Sequence, residues 1–315
     1  MTTGLVNSAD SHVVEPLDLW VQRLPDSLKE RAPRIADVDG EPRLLVEGMV
    51  PRRMGSGGTS DPELRWASAR AYNDWLVETF AAQSQRFAGA AMIPVQEIEP
   101  AVTEIERIAA LGLRSIMLPM QAPEPRPYNS RDYDPVWAVA QAHGLPVSFH
   151  VGTGSNPVTE RGLGGAVINY VEVGLGAQRT LAYLAASGAL ERHPELHVVM
   201  VECGAGWLAW LLERMDEAFE EHEQWVHPKL AEPPSFYARR QGHVTFGNDG
   251  AGVVNRGFTG VEPLLWASDY PHPEGTWPHT RETLDRIFTG VPDAERELVT
   301  YSTTARLYGL DAPSV

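Results

Sequence analysis

The sequence predicts an α/β fold of the TIM-barrel type, a parallel sheet wrapped by helices, and three observations predict it. Short apolar runs alternate with longer amphipathic stretches along the chain, the pattern of repeated β–α units. Several runs are apolar throughout, as expected for strands covered on both faces. The length, 315 residues, suits an α/β barrel folded as one domain.

In chain order, strands are expected at Leu5–Ala9, Phe87–Ile93, Ser115–Leu118, Pro146–His150, His197–Val201, His243–Phe246 and Leu264–Ser268. An eighth has no clear sequence signal. Helices are expected between them. Glu63–Gln83 carries Leu64, Ala67, Ala71, Trp75 and Phe80 at helical spacing. Ile98–Leu111 follows a Pro-Val-Gln turn, and Asp134–His143 opens with a capping aspartate and a proline at the first helical position. Gln178–Ala186, Trp207–Glu221, Thr280–Phe288 and Asp293–Tyr301 complete the set. Two stretches break the rhythm and read as loops. One is a small N-terminal insertion at 37–63, with the strand-like Arg43–Val46 and a glycine- and serine-rich run; the other is Gly152–Gly176. No linker, repeat or low-complexity tail divides the chain, so residues 1–315 are expected to form one domain.

Composition narrows the function. With 43% hydrophobic and 22% charged residues the chain reads as a soluble globular protein. A formal net charge of −16 repels nucleic acid and anionic membranes. An anionic substrate would need local cations, either a metal or a few arginines. The single cysteine, Cys203, allows no intrachain disulfide. No basic-then-apolar leader and no run of eighteen apolar residues is present, so the cytoplasm is the expected compartment. The only lysines, Lys29 and Lys229, lie away from strand ends. That weighs against a Schiff base or a carbamylated lysine bridging two metals.

Four features place metal-capable side chains at the C-terminal ends of expected strands, where α/β barrels carry their active sites. In Ser8-Ala9-Asp10-Ser11-His12, Asp10 and His12 alternate, so an extended chain points both to one side. Glu15, just beyond, is a further ligand, an orienting carboxylate or a helix cap. His150 ends an apolar run ahead of glycine-rich chain; it is a ligand or a structural histidine. Asp269 leaves an apolar strand into a proline-bounded turn, as a ligand and proton acceptor or as a turn cap. His272 beyond it could bind metal, touch substrate or lie on the surface. Glu202 ends a fourth run before Cys203-Gly204-Ala205-Gly206-Trp207, as a general base raised by burial or as half of an ion pair. Cys203 reads as a small buried residue rather than a nucleophile. Two carboxylates and two imidazoles suit one zinc, manganese, iron or cobalt ion rather than magnesium or calcium.

These pieces resemble the amidohydrolase superfamily, in the branch of aminocarboxymuconate-semialdehyde decarboxylase and the aromatic-acid (resorcylate-type) decarboxylases. The resemblance rests on Ser8–Pro16, Phe149-His150, Glu202–Trp207, Ala267–His272 and the closing Thr304–Leu310, in that order along nearly the whole chain. It implies a distorted (β/α)8 barrel around one divalent metal, zinc first and manganese second. The ligands it implies are Asp10, His12, His150 and Asp269, and it implies a homo-oligomer, a homodimer or larger. The chain departs from the branch in carrying Glu202 where those decarboxylases have a histidine, and Glu217 where the aromatic-acid members have another. Acid–base work would then fall to Glu202, or to His222 further along the same helix. Arg52 and Arg53 could grip a substrate carboxylate as forked donors, or be a solvated pair. Trp207, Tyr270 and Trp277 could line an aromatic pocket, with Trp210 more plausibly core.

Two reactions fit. One is non-oxidative decarboxylation, or another C–C lyase step, on a small aromatic or enol carboxylate. The other is hydrolysis of a C–N, C–O or C–C bond by metal-activated water, with Asp269 or Glu202 as base.

Overall fold

The computed structural model describes residues 5–16, 18–38, 41–47, 59, 61–154 and 160–310. Ahead of the main sheet lie α1 (Leu19–Arg23), the antiparallel strands β1 (Arg34–Val38) and β2 (Glu41–Leu45), and α2 (Pro62–Leu76). The barrel then runs β3 (Ala90–Met92), α3 (Ile98–Ala110), β4 (Ser115–Pro119), α4 (Asp134–Ala142), β5 (Val147–His150), α5 (Gly165–Ala186) and α6 (Ala189–Arg192). It continues through β6 (Val198–Val201), α7 (Leu208–Glu221), α8 (Pro234–Gln241), β7 (Gly242–Phe246), α9 (Gly250–Val254), α10 (Arg256–Thr259) and β8 (Leu264–Trp266). Helices α11 (Thr280–Ile287), α12 (Asp293–Glu297) and α13 (Thr303–Tyr308) close the chain.

Strands β3 to β8 form one parallel sheet in sequential order, the connectivity of an α/β barrel. Strands β6 and β8 are buried on both faces, which explains why Val198–Val201 and Leu264–Trp266 read as unbroken apolar runs. The largest buried cluster draws residues from Leu19 to Val299. Beneath β5 it is aromatic: Tyr128 packs edge-on to Phe149 at 5.0 Å, and Tyr133 stacks on Trp137 at 5.6 Å. The Tyr128 hydroxyl donates to the Pro119 carbonyl at the end of β4. Each such side chain contributes about 1.5–3 kcal/mol by burial, so the end of β5 is held firmly.

Three expectations need correction. Leu5–Ala9 is not a ladder strand. It is tied to the end of the chain and to β8 at single points: Asn7 N–H donates to Thr300 O and Ala9 N–H to Trp266 O, and Ser11 bridges Tyr270 in parallel. Second, the 37–63 insertion is not wholly loop, because β1 and β2 pair from Arg34↔Leu45 to Val38↔Glu41. Third, the expected loop Gly152–Gly176 is helical from Gly165 onward. The glycines there serve close packing, since a Cβ at Gly176 would meet Met120 Cγ at 3.0 Å.

The outer edge of β3 has an unusual partner. The Asn73 side chain, from α2, accepts from Met92 N–H at 2.8 Å and donates to Met92 O at 3.1 Å. Its amide thus makes both hydrogen bonds that a neighbouring strand would offer there. Glu104, fully buried on α3, accepts from the same amide at 2.9 Å and pairs with Arg107. Burial pushes the Glu104 carboxyl up, but Arg107 and Asn73 outweigh it and hold it below the ordinary range. Among the described residues no helix is long and apolar enough to cross a membrane.

Candidate metal centre

Five of the sequence-derived residues meet at the C-terminal ends of the strands. His150 is the last residue of β5, Glu202 follows β6, and Asp269 follows β8. Asp10 and His12 arrive on the N-terminal segment, which backbone bonds pin beside the end of β8: Asp269 N–H to Asp10 O at 3.2 Å and His12 N–H to Tyr270 O at 2.7 Å. Ser8 locks the same junction, accepting from Ser268 N–H at 2.8 Å.

The side chains then crowd one point. His12 Nε2 lies 2.9 Å from Asp269 Oδ1, 3.5 Å from Glu202 Oε2 and 3.9 Å from Asp10 Oδ1. His150 Nε2 lies 3.2 Å from Glu202 Oε2 and 3.9 Å from Asp10 Oδ1. Asp10, His12, His150 and Glu202 each present one donor atom within 4.8 Å of the others. Two buried atoms in this knot, Asp10 Oδ2 and His150 Nε2, make no hydrogen bond among the described residues. His150 Nδ1 lies 2.6 Å from the Val151 carbonyl, which can only accept. Nδ1 is therefore the donor to that carbonyl, and Nε2 is the ring nitrogen turned to the cluster, the orientation a metal-ligating imidazole needs. A buried carboxylate oxygen and a buried imidazole nitrogen, neither hydrogen-bonded, fit a divalent cation.

The charge density is visible in two pKa values. Hydrogen bonds to Asp269 and then Glu202 raise His12 to about 10. Burial raises Asp10 to about 6 against the pull of His150 and His12.

Two of the carboxylates are held by strained backbone. Glu202 (φ 57°) and Asp269 (φ 55°) both occupy the left-handed region, which costs an ordinary residue about 1–3 kcal/mol. Glu202 is kept there by its N–H, donated to Thr245 Oγ1 on β7 at 2.8 Å. The turn after it is clasped by Asp249, whose Oδ2 accepts from Ala205 N–H at 2.7 Å and Gly206 N–H at 2.8 Å. A Cβ at Gly204 would come within 3.1 Å of that same oxygen. The sequence reading missed Asp249, although it also follows a strand, β7, and precedes a glycine.

The remaining expected residues divide. His272 reaches the cluster, its ring 4.2 Å from that of His12 and its Nδ1 3.8 Å from Glu274, a residue the sequence reading passed over. Asp269 and His272 form further potential donor groups with His12 and with Glu202 and Glu274. Tyr270 and Trp277 stack edge-on beside it, both largely exposed. Trp207 donates its indole N–H to the Cys203 carbonyl at 2.8 Å and so braces the turn. Glu15 is outside these groups, and its charge acts on Tyr72 of α2. Burial, with Asp10 and Glu202 nearby, pushes the Cys203 thiol far up, which agrees with a non-nucleophilic role. Trp210 is 58% exposed rather than core. His222 needs correction: it caps the far end of the 14-residue α7, about 20 Å from the Glu202 end at 1.5 Å per residue, and is exposed. Arg52 and Arg53 lie outside the described residues.

The amidohydrolase family pattern matches residues 9–310. The chain belongs to the amidohydrolase family. This amidohydrolase is 24% identical to the gamma-resorcylate decarboxylase of Rhizobium sp. (strain MTP-10005), over 96% of its own length and 94% of the relative's. Its fold matches that of the amidohydrolase map2389c from Mycobacterium avium subsp. paratuberculosis K-10, with a TM-score of 0.77 and 20% identity over 96% and 99% of the two chains. It also matches a dihydroxybenzoic acid decarboxylase from Polaromonas sp. JS666, solved with bound manganese and the inhibitor 2-nitroresorcinol. There the TM-score is 0.64, with 20% identity over 81% and 79% of the chains.

Proposed function

We propose that this amidohydrolase is a metal-dependent, non-oxidative decarboxylase of a small aromatic or enol carboxylate. The observation that carries the reading is the convergence of Asp10, His12, His150 and Glu202 on one point, with Asp269 2.9 Å from His12 and with Asp10 Oδ2 and His150 Nε2 making no hydrogen bond among the described residues. Nearly full-length similarity to a resorcylate decarboxylase supports the reaction class.

Asp10, His12, His150 and Asp269 would hold one divalent cation. Bound there, it would supply positive charge to a substrate carboxylate and an adjacent oxygen, offsetting the net charge of −16. Manganese in the Polaromonas neighbour makes it a candidate beside zinc. Glu202 is assigned the proton transfer. When the bond between ring carbon and carboxylate breaks, its electron pair stays on the carbon, CO2 departs, and the Glu202 carboxyl delivers a proton to that carbon. The backbone strain at Glu202, with the Thr245 and Asp249 bonds that maintain it, fits a group fixed in place for this step. His272 and Trp207 are assigned to the pocket wall, and Arg52 and Arg53 keep the role of forked donors to a substrate carboxylate that their sequence suggests. A core shared from Leu19 to Val299 supports a single domain. We place it in the cytoplasm as a homodimer, the compartment in keeping with the single cysteine.

The test is a panel of hydroxybenzoates and muconate-type acids incubated in water enriched in heavy oxygen. CO2 release, with no label in the remaining organic product, supports the decarboxylase. Label in that product assigns hydrolysis instead.

A further inference from the structure

Glu274 is a carboxylate beside the centre that neither the metal set nor the proton transfer uses. It arrives on the turn after β8, and that turn is folded tightly. His272 N–H donates to Asp269 O at 2.9 Å, Gly275 N–H to His272 O at 3.0 Å and Thr276 N–H to Ser268 O at 2.9 Å. A Cβ at Gly275 would come within 2.9 Å of the carbonyl oxygens of Ser268, Asp269 and His272, so the turn closes only around glycine. Glu274 is thereby fixed next to Asp269.

Its carboxylate presents one oxygen within 4.8 Å of donor atoms on Glu202, Asp269 and His272. The group to which it belongs holds none of Asp10, His12 and His150, which sets it across Glu202 from the cation's other donors. A ring with its carboxylate on the cation and its reacting carbon at Glu202 would extend toward Glu274. The nearest charged partner of Glu274 among the described residues is His272 Nδ1 at 3.8 Å, beyond hydrogen-bond reach, so its lone pairs stay open to a ligand. Burial raises the Tyr170 hydroxyl of α5, and the charges of Glu274, Glu202 and Asp269 raise it further, so this helix faces the same carboxylates.

Charge decides what Glu274 can receive. Among the described residues, Glu202 and Glu274 form ion pairs with histidines and with no lysine or arginine. One divalent cation balances two of the four carboxylates Asp10, Glu202, Asp269 and Glu274, and the reacting carboxylate of the substrate adds another negative charge. A second substrate anion at Glu274 would meet repulsion in a half-buried site, whereas a hydroxyl or amino group would donate a charge-assisted hydrogen bond.

We propose that Glu274 is a specificity-determining residue: its carboxylate accepts a hydrogen bond from a hydroxyl or amino substituent on the substrate ring and turns away a ring bearing a second carboxylate. The assignment rests on the decarboxylase reading for the orientation of the ring, and it narrows the substrate to a monocarboxylate with a donor substituent. The test is calorimetric binding to the manganese-loaded full chain, which reads affinity whether or not turnover follows. Every acid in the panel keeps one hydroxyl beside its carboxylate for the metal and varies one further ring position among hydroxyl, amino, methyl and carboxylate. The wild type should bind the best hydroxyl- or amino-substituted acid at least tenfold more tightly than its methyl counterpart, and the dicarboxylate more weakly still. Glu274→Gln should reduce that preference about tenfold, the difference between a charge-assisted and a neutral hydrogen bond, with metal content and circular dichroism unchanged. Glu274→Lys should place the dicarboxylate above the donor-substituted acid. Equal binding of donor- and methyl-substituted acids by the wild type overturns the proposal. So does a preference that survives Glu274→Gln, a wild-type preference for the dicarboxylate, a panel in which nothing binds, or loss of metal from Glu274→Gln. CO2 release from the same acids separates the two readings. The preference without CO2 keeps Glu274 and sinks the decarboxylase, and CO2 without the preference does the reverse.

Discussion

His12 makes metal uptake by this amidohydrolase depend on pH. Its Nε2 sits 2.9 Å from Asp269 Oδ1 and 3.5 Å from Glu202 Oε2, and these acceptors raise it to about 10. In the metal-free protein the ring is therefore a cation at neutral pH, and a metal must displace its proton. With one proton released per metal, the apparent dissociation constant falls about tenfold per pH unit as pH rises toward 10. At pH 7 it should stand roughly a thousandfold above its limiting value, three units away. Metal-free stability runs the other way. A folded pKa above the ordinary 6.5 contributes stability that is fully present below 6.5 and lost as pH rises through about 10. Asp10, raised by burial, acts in the same sense, its contribution lost as pH rises from the ordinary 3.8 through about 6. Calorimetric titration with manganese in buffers of different ionisation enthalpy counts the protons directly. Near neutral pH we expect about one proton per metal, together with a metal-free melting temperature that declines with pH. Binding that releases no proton and does not vary with pH would refute the protonated His12 cluster.

Three further outcomes are expected. Glu202→Gln should keep stoichiometric metal, measured by emission spectroscopy, and lose turnover by about two orders of magnitude or more; unchanged rates remove Glu202 from the reaction. Asp249→Ala should release the Ala205 and Gly206 N–H groups, cost about 1–3 kcal/mol in denaturant melts and lower kcat more than it raises KM, with partial recovery in Asp249→Asn. Glu104→Gln should destabilise by about 1–3 kcal/mol near neutrality, because it removes the charge of the fully buried partner of Arg107, which keeps only Asp74. That gap should close as pH falls below the ordinary glutamate range, since a depressed carboxylate contributes stability only above it.

Much of this was legible in the sequence because burial on both faces leaves a strand no choice but apolar residues, as in Val198–Val201 and Leu264–Trp266. The spacing of Asp10 and His12 likewise reported a shared side. What escaped the sequence depended on long-range contacts. Gly174 and Gly176 read as loop residues because only the packed structure shows Met120 and Cys203 pressing on the helix. Nothing local in the sequence marks a role for Asp249, which only the fold brings to the Glu202 turn. The helical rise places His222 at the wrong end of α7, a length that residue type alone does not convey.

Asn73 has a consequence for how the wall of the barrel gives way. On its outer side, among the described residues, β3 is fastened by the Asn73 amide, itself steadied by Glu104. A ladder shares load over many bonds, whereas a clasp of two bonds at one residue releases all at once. The wall thus has a seam on the side of β3 away from β4, where opening need not disturb β5 or β6, which carry His150 and lead into Glu202. Local breathing at that seam should let amide protons near Met92 exchange well before those of β5 to β7, leaving the metal cluster intact while the far wall loosens.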